Sequence, residues 1–271
     1  MASRDSRCSR REALIGLGAA ALACRSGNNE TAHSSPSASA SGGAWREPWG
    51  GLAITQVTDQ REDERGGTVL VLLHGYGAPG DDLASLARTF LRPGLRCILP
   101  AAPLSAGDGR AWWQIEASDR PRYVVDEPGP ARPSALPNLQ LDVARSAVGG
   151  VLHTARERYA PSALFLGGFS QGAMLSLDLL LAGAEELDRV AVLSGALLVD
   201  SAAHFDVKRA KHPPVFVSHG LRDQRLPFAG GRRIKTELEA RGFPVTFRSF
   251  DGGHAIPREI VDELAKFLFE G

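Results

Sequence analysis

The sequence predicts an α/β fold, with a mostly parallel central sheet and helices on both faces. Three observations lead there. Short apolar runs alternate with amphipathic stretches from about Trp45 onward. Several of these runs are continuously apolar, as strands buried on both faces read. Residues able to do chemistry follow the ends of the runs, and a parallel sheet gathers its reactive groups at the carboxyl ends of its strands. At 271 residues the chain fits one such domain with extra segments, or at most two small domains.

The elements follow in order. Leu52–Thr58 alternates weakly and reads as an edge strand. Thr68–Leu73 is a continuous apolar run that ends in His74-Gly75. Asp81 and Asp82 stand where they would cap a helix running to about Phe90, stopped near Pro93-Gly94. Cys97-Ile98-Leu99 is a short strand. Leu139–Tyr159 has helical spacing, with Leu141, Val148 and Leu152 on one side. Residues 163–166 form a strand, followed by a sharp turn and a helix to about Leu181. Residues 190–193 and 215–218 are further buried strands, Val245–Phe250 alternates, and an amphipathic helix over 256–269 closes the chain. Residues 104–137 fit no element well. They hold Pro121, Pro128, Pro130, Pro133, Pro137 and the pair Trp112-Trp113. So long a loop inside a compact domain is usually functional, and it reads as an insert that walls or flaps a substrate pocket.

The first residues read differently. Arg4, Arg7, Arg10 and Arg11 precede an apolar stretch from Ala13 to Ala23, the pattern of an export signal over residues 1–24. Ser9-Arg10-Arg11-Glu12-Ala13-Leu14 resembles a twin-arginine signal, and Ala21-Leu22-Ala23-Cys24 resembles a bacterial lipobox. On that reading Cys24 carries a lipid and anchors the chain to a membrane. Cleavage elsewhere by an ordinary signal peptidase is the alternative. Residues 25–44, rich in Ser, Ala, Gly and Asn, have little to bury and read as a flexible polar tether. The expected product is an exported, periplasmic or membrane-anchored bacterial lipoprotein whose catalytic domain spans 45–271.

Composition removes several function classes. Lys plus Arg and Asp plus Glu number 31 each, which argues against nucleic acid or an anionic membrane surface as the main partner. No apolar run reaches the ~18 residues of a membrane span. The three cysteines, Cys8, Cys24 and Cys97, make no disulfide framework, and Cys97 reads as a small core residue. The histidines and acids show no metal-ligand spacing, and no glycine loop for phosphate is present, so neither metal nor cofactor is expected.

The chemistry centres on Gly168-Phe169-Ser170-Gln171-Gly172, set between a strand and a helix. A serine hydroxyl is a weak nucleophile that must be presented clear of the backbone beside a base. A strand-turn-helix corner does this, and it crowds its flanks so closely that both favour glycine. Among seven histidines, His254 stands out because it follows Asp251-Gly252-Gly253 after a strand and before a helix. Histidine is the natural base near neutrality. A carboxylate must hold its tautomer. Asp223, in the loop after the 215–218 strand, is preferred over Asp206, which follows no clear strand. Backbone N–H donors for an oxyanion are expected from Gln171 and from the loop His74-Gly75-Tyr76-Gly77, with Tyr76 as the second donor. His74 is expected to fix that loop through its ring nitrogens.

Leu73-His74-Gly75-Tyr76-Gly77 with Asp81-Asp82, Gly167 through Ala173 around Ser170, His219-Gly220 with Asp223 and Pro227, and Gly253-His254 together resemble the phospholipase/carboxylesterase family. These are small α/β-hydrolases that include acyl-protein thioesterases and bacterial carboxylesterases. The resemblance covers roughly residues 52–270. It implies a Ser170–Asp223–His254 triad with Tyr76 and Gln171 as oxyanion donors. It also implies that Trp112-Trp113-Gln114 lines the acyl side of the pocket, with glutamine standing where members carry an acid. An insert this long and proline-rich, and export from the cell, both depart from the family's habit.

The expected function is cleavage of a small-molecule carboxylic ester, with short to medium acyl chains, through an acyl-enzyme on Ser170. Thioesterase or lysophospholipase activity at the same site is the alternative. A non-catalytic, surface-tethered binding module is the alternative of another class, and it predicts loss of a triad member or of the glycines around Ser170. None is missing. A serine peptidase on this fold would need a cap or propeller domain for which there are too few residues.

Overall fold

A computed structural model describes residues 46–115, 139–204 and 211–270. The leader, the tether, the 116–137 part of the insert and Asp206 lie outside the described residues. Eight strands form one sheet: β1 (Arg46–Trp49), β2 (Leu52–Thr58), β3 (Thr68–Leu73), β4 (Leu95–Pro100), β7 (Ala163–Phe169), β8 (Arg189–Leu193), β9 (Val215–Gly220) and β10 (Val245–Phe250). Their spatial order is β1-β2-β4-β3-β7-β8-β9-β10. From β4 to β10 every neighbouring pair is parallel, while β1 and β2 pair antiparallel at one edge.

The continuous apolar runs exist because this sheet is covered on both faces. Val69, Val71 and Leu73 of β3 face one core, together with Leu164 and Leu166, Val190 and Val192, and Val215 and Val217. Leu70, Leu72, Phe165, Ala191, Leu193 and Phe216 alternate onto the other. Helices α2 (Leu139–Tyr159), α3 (Gln171–Ala182) and α4 (Phe228–Glu239) close the first face, and α1 (Ala84–Thr89) and α5 (Arg258–Phe269) close the second. Each Leu or Val buried this way contributes about 1.5–3 kcal/mol. Their sum fixes the strand register that aligns the carboxyl ends.

Asp178 of α3 is fully buried, and its carboxylate takes Nε and Nη2 of Arg145 from α2 at 2.6 and 3.2 Å and the Ser201 hydroxyl at 2.7 Å. A buried charge survives only when paired in this way. The pairing ties the helix behind Ser170 to its neighbour.

Four expectations change. β2 is not an edge strand, because Gly50 and Gly51, with φ of 58° and 81°, turn β1 back against it. No aspartate caps α1: Leu83 stands at the cap, and the Asp81 carbonyl, not its carboxylate, takes the Ala84 N–H at 2.9 Å. Helix α4 went unpredicted because Gly230-Gly231 masks the spacing of its buried residues Gly231, Ile234 and Leu238. The insert opens with a hairpin of β5 (Leu104–Ala106) and β6 (Gly109–Ala111). That hairpin docks on the loop after β3: Gly77 N–H donates to Arg110 O at 2.8 Å, and Arg110 N–H to Ala78 O at 3.0 Å. A Cβ on Gly109 would sit 2.1 Å from Gly77 O, so only glycine permits the contact.

Candidate active site

Ser170 follows β7 directly and precedes the first residue of α3. Its φ of 55° and ψ of −116° are strained for a residue with a side chain, a cost on the order of 1–3 kcal/mol that the surroundings must offset. They do so by leaving no room to relax. A Cβ on Gly168 would lie 2.4 Å from the Gly172 carbonyl carbon, and one on Gly172 would lie 2.2 Å from Leu73 O. The Ser170 N–H is meanwhile held on Leu193 O at 3.0 Å. Gly172→Ala is therefore expected to destabilise the fold by about 3 kcal/mol, the upper end for overpacking, read as a large drop in Tm or as insoluble protein. A soluble variant with an unchanged Tm would contradict the tight corner.

His254, after β10, reaches Ser170 from the far side of the sheet edge. Its Nε2 lies 2.8 Å from Ser170 Oγ and its Nδ1 lies 2.7 Å from Asp223 Oδ2. A carboxylate accepts, so Nδ1 carries the proton and Nε2 is left to accept from the serine hydroxyl. Asp223, in the loop after β9, has a fully buried side chain. Its other oxygen, Oδ1, accepts the Arg225 and Leu226 N–H groups at 2.9 and 3.0 Å. The carboxylate is thus fixed before it meets the imidazole.

The loop after β3 passes against Ser170: a Cβ on Gly75 would be 3.3 Å from Ser170 Cβ. His74 stiffens this loop. Its Nε2 accepts the Ala102 N–H at 3.0 Å, so Nδ1 bears the proton, 2.8 Å from Gly75 O. Burial, helped by Arg110, lowers its pKa against the opposing bond to Gly75, which keeps the ring neutral. Tyr76 and Gln171 line a cleft of about 710 Å³ together with Ser170 and His254. Ile115, Phe169, Met174 and Leu226 supply its apolar lining.

A strained serine corner, a buried acid–imidazole pair and a glycine loop over the serine occupy the ends of β7, β9, β10 and β3. The phospholipase/carboxylesterase family matches residues 54–270. The chain belongs to that family. It is a carboxylic ester hydrolase with the α/β-hydrolase fold. A probable carboxylesterase of Oryza sativa is 26% identical, covering 75% of this chain and 77% of that protein. Acyl-protein thioesterase 1 of Gibberella zeae is 32% identical, covering 73% of this chain and 88% of its own length. Among solved structures, the crystal structure of esterase PE8 superimposes with a TM-score of 0.66 at 25% identity, over 81% of this chain and 98% of that one.

The Trp112-Trp113 pair is placed differently from expectation. Trp112 and Trp113 are fully buried and do not line the cleft. The β5–β6 hairpin turns them inward, where they brace the site. Trp112 donates its backbone N–H to Gln171 Oε1 at 3.0 Å and its indole N–H to His74 O at 2.9 Å. Gln171 Nε2 donates to Trp113 O at 2.7 Å. Gln171, the residue after Ser170, thus uses its amide to lock the hairpin, a task invisible in the motif. Gln114 is not among the cleft-lining residues either, and the next residue, Ile115, is. Gln114 Oε1 accepts the Tyr76 hydroxyl at 3.1 Å, while its Nε2 donates to Ser105 O at 2.8 Å. An ionised acid here could only accept, which explains the glutamine.

Proposed function

We propose that the cleft hydrolyses carboxylic esters by a Ser170–His254–Asp223 relay through an acyl-enzyme. The observation that carries this is the unbroken chain from Ser170 Oγ to His254 Nε2 at 2.8 Å and from His254 Nδ1 to Asp223 Oδ2 at 2.7 Å. Ser170 Oγ attacks the ester carbonyl as His254 Nε2 takes its proton, and Asp223 stabilises the imidazolium so formed. The oxyanion settles on the backbone N–H groups of Tyr76 and Gln171, the latter at the positive end of α3. His254 returns its proton to the departing alcohol. Water, deprotonated by the same nitrogen, then releases the acid from Ser170.

The volume of about 710 Å³ lies in the usual range for a small-molecule site. With Ile115, Phe169, Met174 and Leu226 in the lining, it suits short to medium acyl chains. A thioester substrate is the second reading, favoured by the 32% identity to an acyl-protein thioesterase. Burst-phase assays with p-nitrophenyl acetate, butyrate and octanoate beside the matching thioesters test both. Turnover of the oxygen esters with a burst supports the first reading, and turnover confined to thioesters replaces it with the second.

A histidine base fixes the pH dependence. Only a free lone pair on Nε2 can accept from Ser170, so on this mechanism kcat/KM is expected to decline toward acid. A flat profile over about pH 5 to 8 would contradict the base.

We further propose that residues 1–24 direct export, that Cys24 carries a lipid and that residues 25–44 tether the domain over 45–271. The arginines before the apolar stretch and the Ala21-Leu22-Ala23-Cys24 segment support this. Metabolic labelling with an alkyne fatty acid should mark the chain and fail with Cys24→Ala. Equal labelling of both would contradict lipidation.

A further inference from the structure

His219, next to last in β9, is fully buried, and no step of the ester cleavage uses it. Its Nε2 lies 2.8 Å from the Leu226 carbonyl and 3.4 Å from Asp223 Oδ2. A carbonyl only accepts, so Nε2 bears the proton. Nδ1 has no hydrogen-bond partner among the described residues, as suits a bare lone pair in the interior. Burial lowers the pKa of this ring, against the Leu226 bond and Asp223 and with the help of His254. The imidazole is neutral.

Packing allows it one place. The Phe228 ring stands edge-on at 6.2 Å, and a Cβ on Gly231 would lie 2.7 Å from Nδ1. The loop it serves is tied at both ends. Asp223 Oδ1 holds the Arg225 and Leu226 N–H groups, and the Leu226 carbonyl returns to His219.

We propose that His219 is a positioning residue whose Nε2–H, on Leu226 O and facing Asp223 Oδ2, holds the carboxylate in line with His254 and tempers its charge. This rests on the Ser170–His254–Asp223 reading. Two consequences separate it from a space-filling role. Without the N–H the loop relaxes, so kcat falls while KM holds. Without the N–H dipole 3.4 Å from its Oδ2, Asp223 favours the His254 imidazolium more strongly, so the acid limb of the pH profile moves to higher pH. Asp223 and His254 are the charged or titratable groups that act on His219.

The test compares pH profiles for p-nitrophenyl acetate hydrolysis by the purified wild type, His219→Asn, His219→Gln and Ser170→Ala. A glutamine amide places an N–H near the Nε2 position, whereas asparagine stops near Nδ1. His219→Asn is expected to lose about 10-fold or more in kcat with little change in KM. Its acid limb should rise by about half a pH unit. His219→Gln should recover most of the rate and the original limb. Equal losses in the two variants, or a lowered rate with an unmoved limb, would overturn the proposal. Should His219→Asn fail to fold, Gly231→Ala pushes the intact ring off Leu226 and should shift rate and limb alike; an unchanged profile would overturn the proposal as well. If Ser170→Ala retains wild-type turnover, the relay itself is wrong, an outcome distinct from failure at His219.

Discussion

Ser170→Ala is expected to lower kcat by about 10⁴-fold or more while leaving the fold intact. On the proposed mechanism the hydroxyl is the atom that forms the acyl-enzyme, so its removal takes away the attacking group. His254 Nε2 and the proposed oxyanion donors at Tyr76 and Gln171 would remain, so slow hydrolysis by a water in the vacated place is the expected ceiling on residual activity. Folding should survive because the strained corner is held by Gly168, Gly172 and the Ser170 N–H on Leu193 O rather than by the hydroxyl. Steady-state kinetics beside a thermal melt decide it. A variant near the wild-type rate would remove Ser170 from the chemistry.

Asp223→Asn is expected to cost about 10³–10⁴-fold in kcat with substrate binding little altered. The two carboxylate oxygens have different tasks. Oδ1 takes the N–H groups of Arg225 and Leu226, and Oδ2 takes His254 Nδ1–H. An asparagine must keep its carbonyl on the two backbone donors, because turning its NH2 toward them would set donor against donor. Its NH2 then faces His254 Nδ1 and forces the proton onto Nε2, which can no longer accept from Ser170. The overall shape barely changes, so kcat should fall with Tm nearly constant. Parallel loss of Tm and activity would instead mark Asp223 as part of the fold.

Much of this site was legible in the residues because its requirements are local. The crowding at Gly168 and Gly172 is a property of one corner, and the glycines before His254 sit next to it in sequence. The sheet was legible for a similar reason: β3, β7, β8 and β9 are buried on both faces, so their apolar runs are unbroken. What stayed hidden depends on contacts between distant segments. β1 has only four residues, and it earned its place by pairing with β2 through two glycines. Trp112 and Trp113 looked like a pocket wall because nothing near them signals that Gln171 and His74, far along the chain, draw them into the core. Gln114 suits its place because the Tyr76 hydroxyl needs an acceptor and the Ser105 carbonyl a donor, contacts no spacing in the sequence announces. His219 sits inside a recognisable motif, yet its bond to Leu226 appears only once the loop is closed.

On the proposed mechanism an acyl group passes through Ser170. Rapid acid quenching of the enzyme with p-nitrophenyl acetate, followed by mass spectrometry of the peptide containing Ser170, tests it directly. One acetyl group on Ser170, appearing within the burst and absent from Ser170→Ala, is the predicted result. Turnover with no acetyl adduct, or with the adduct on another residue, would contradict the account.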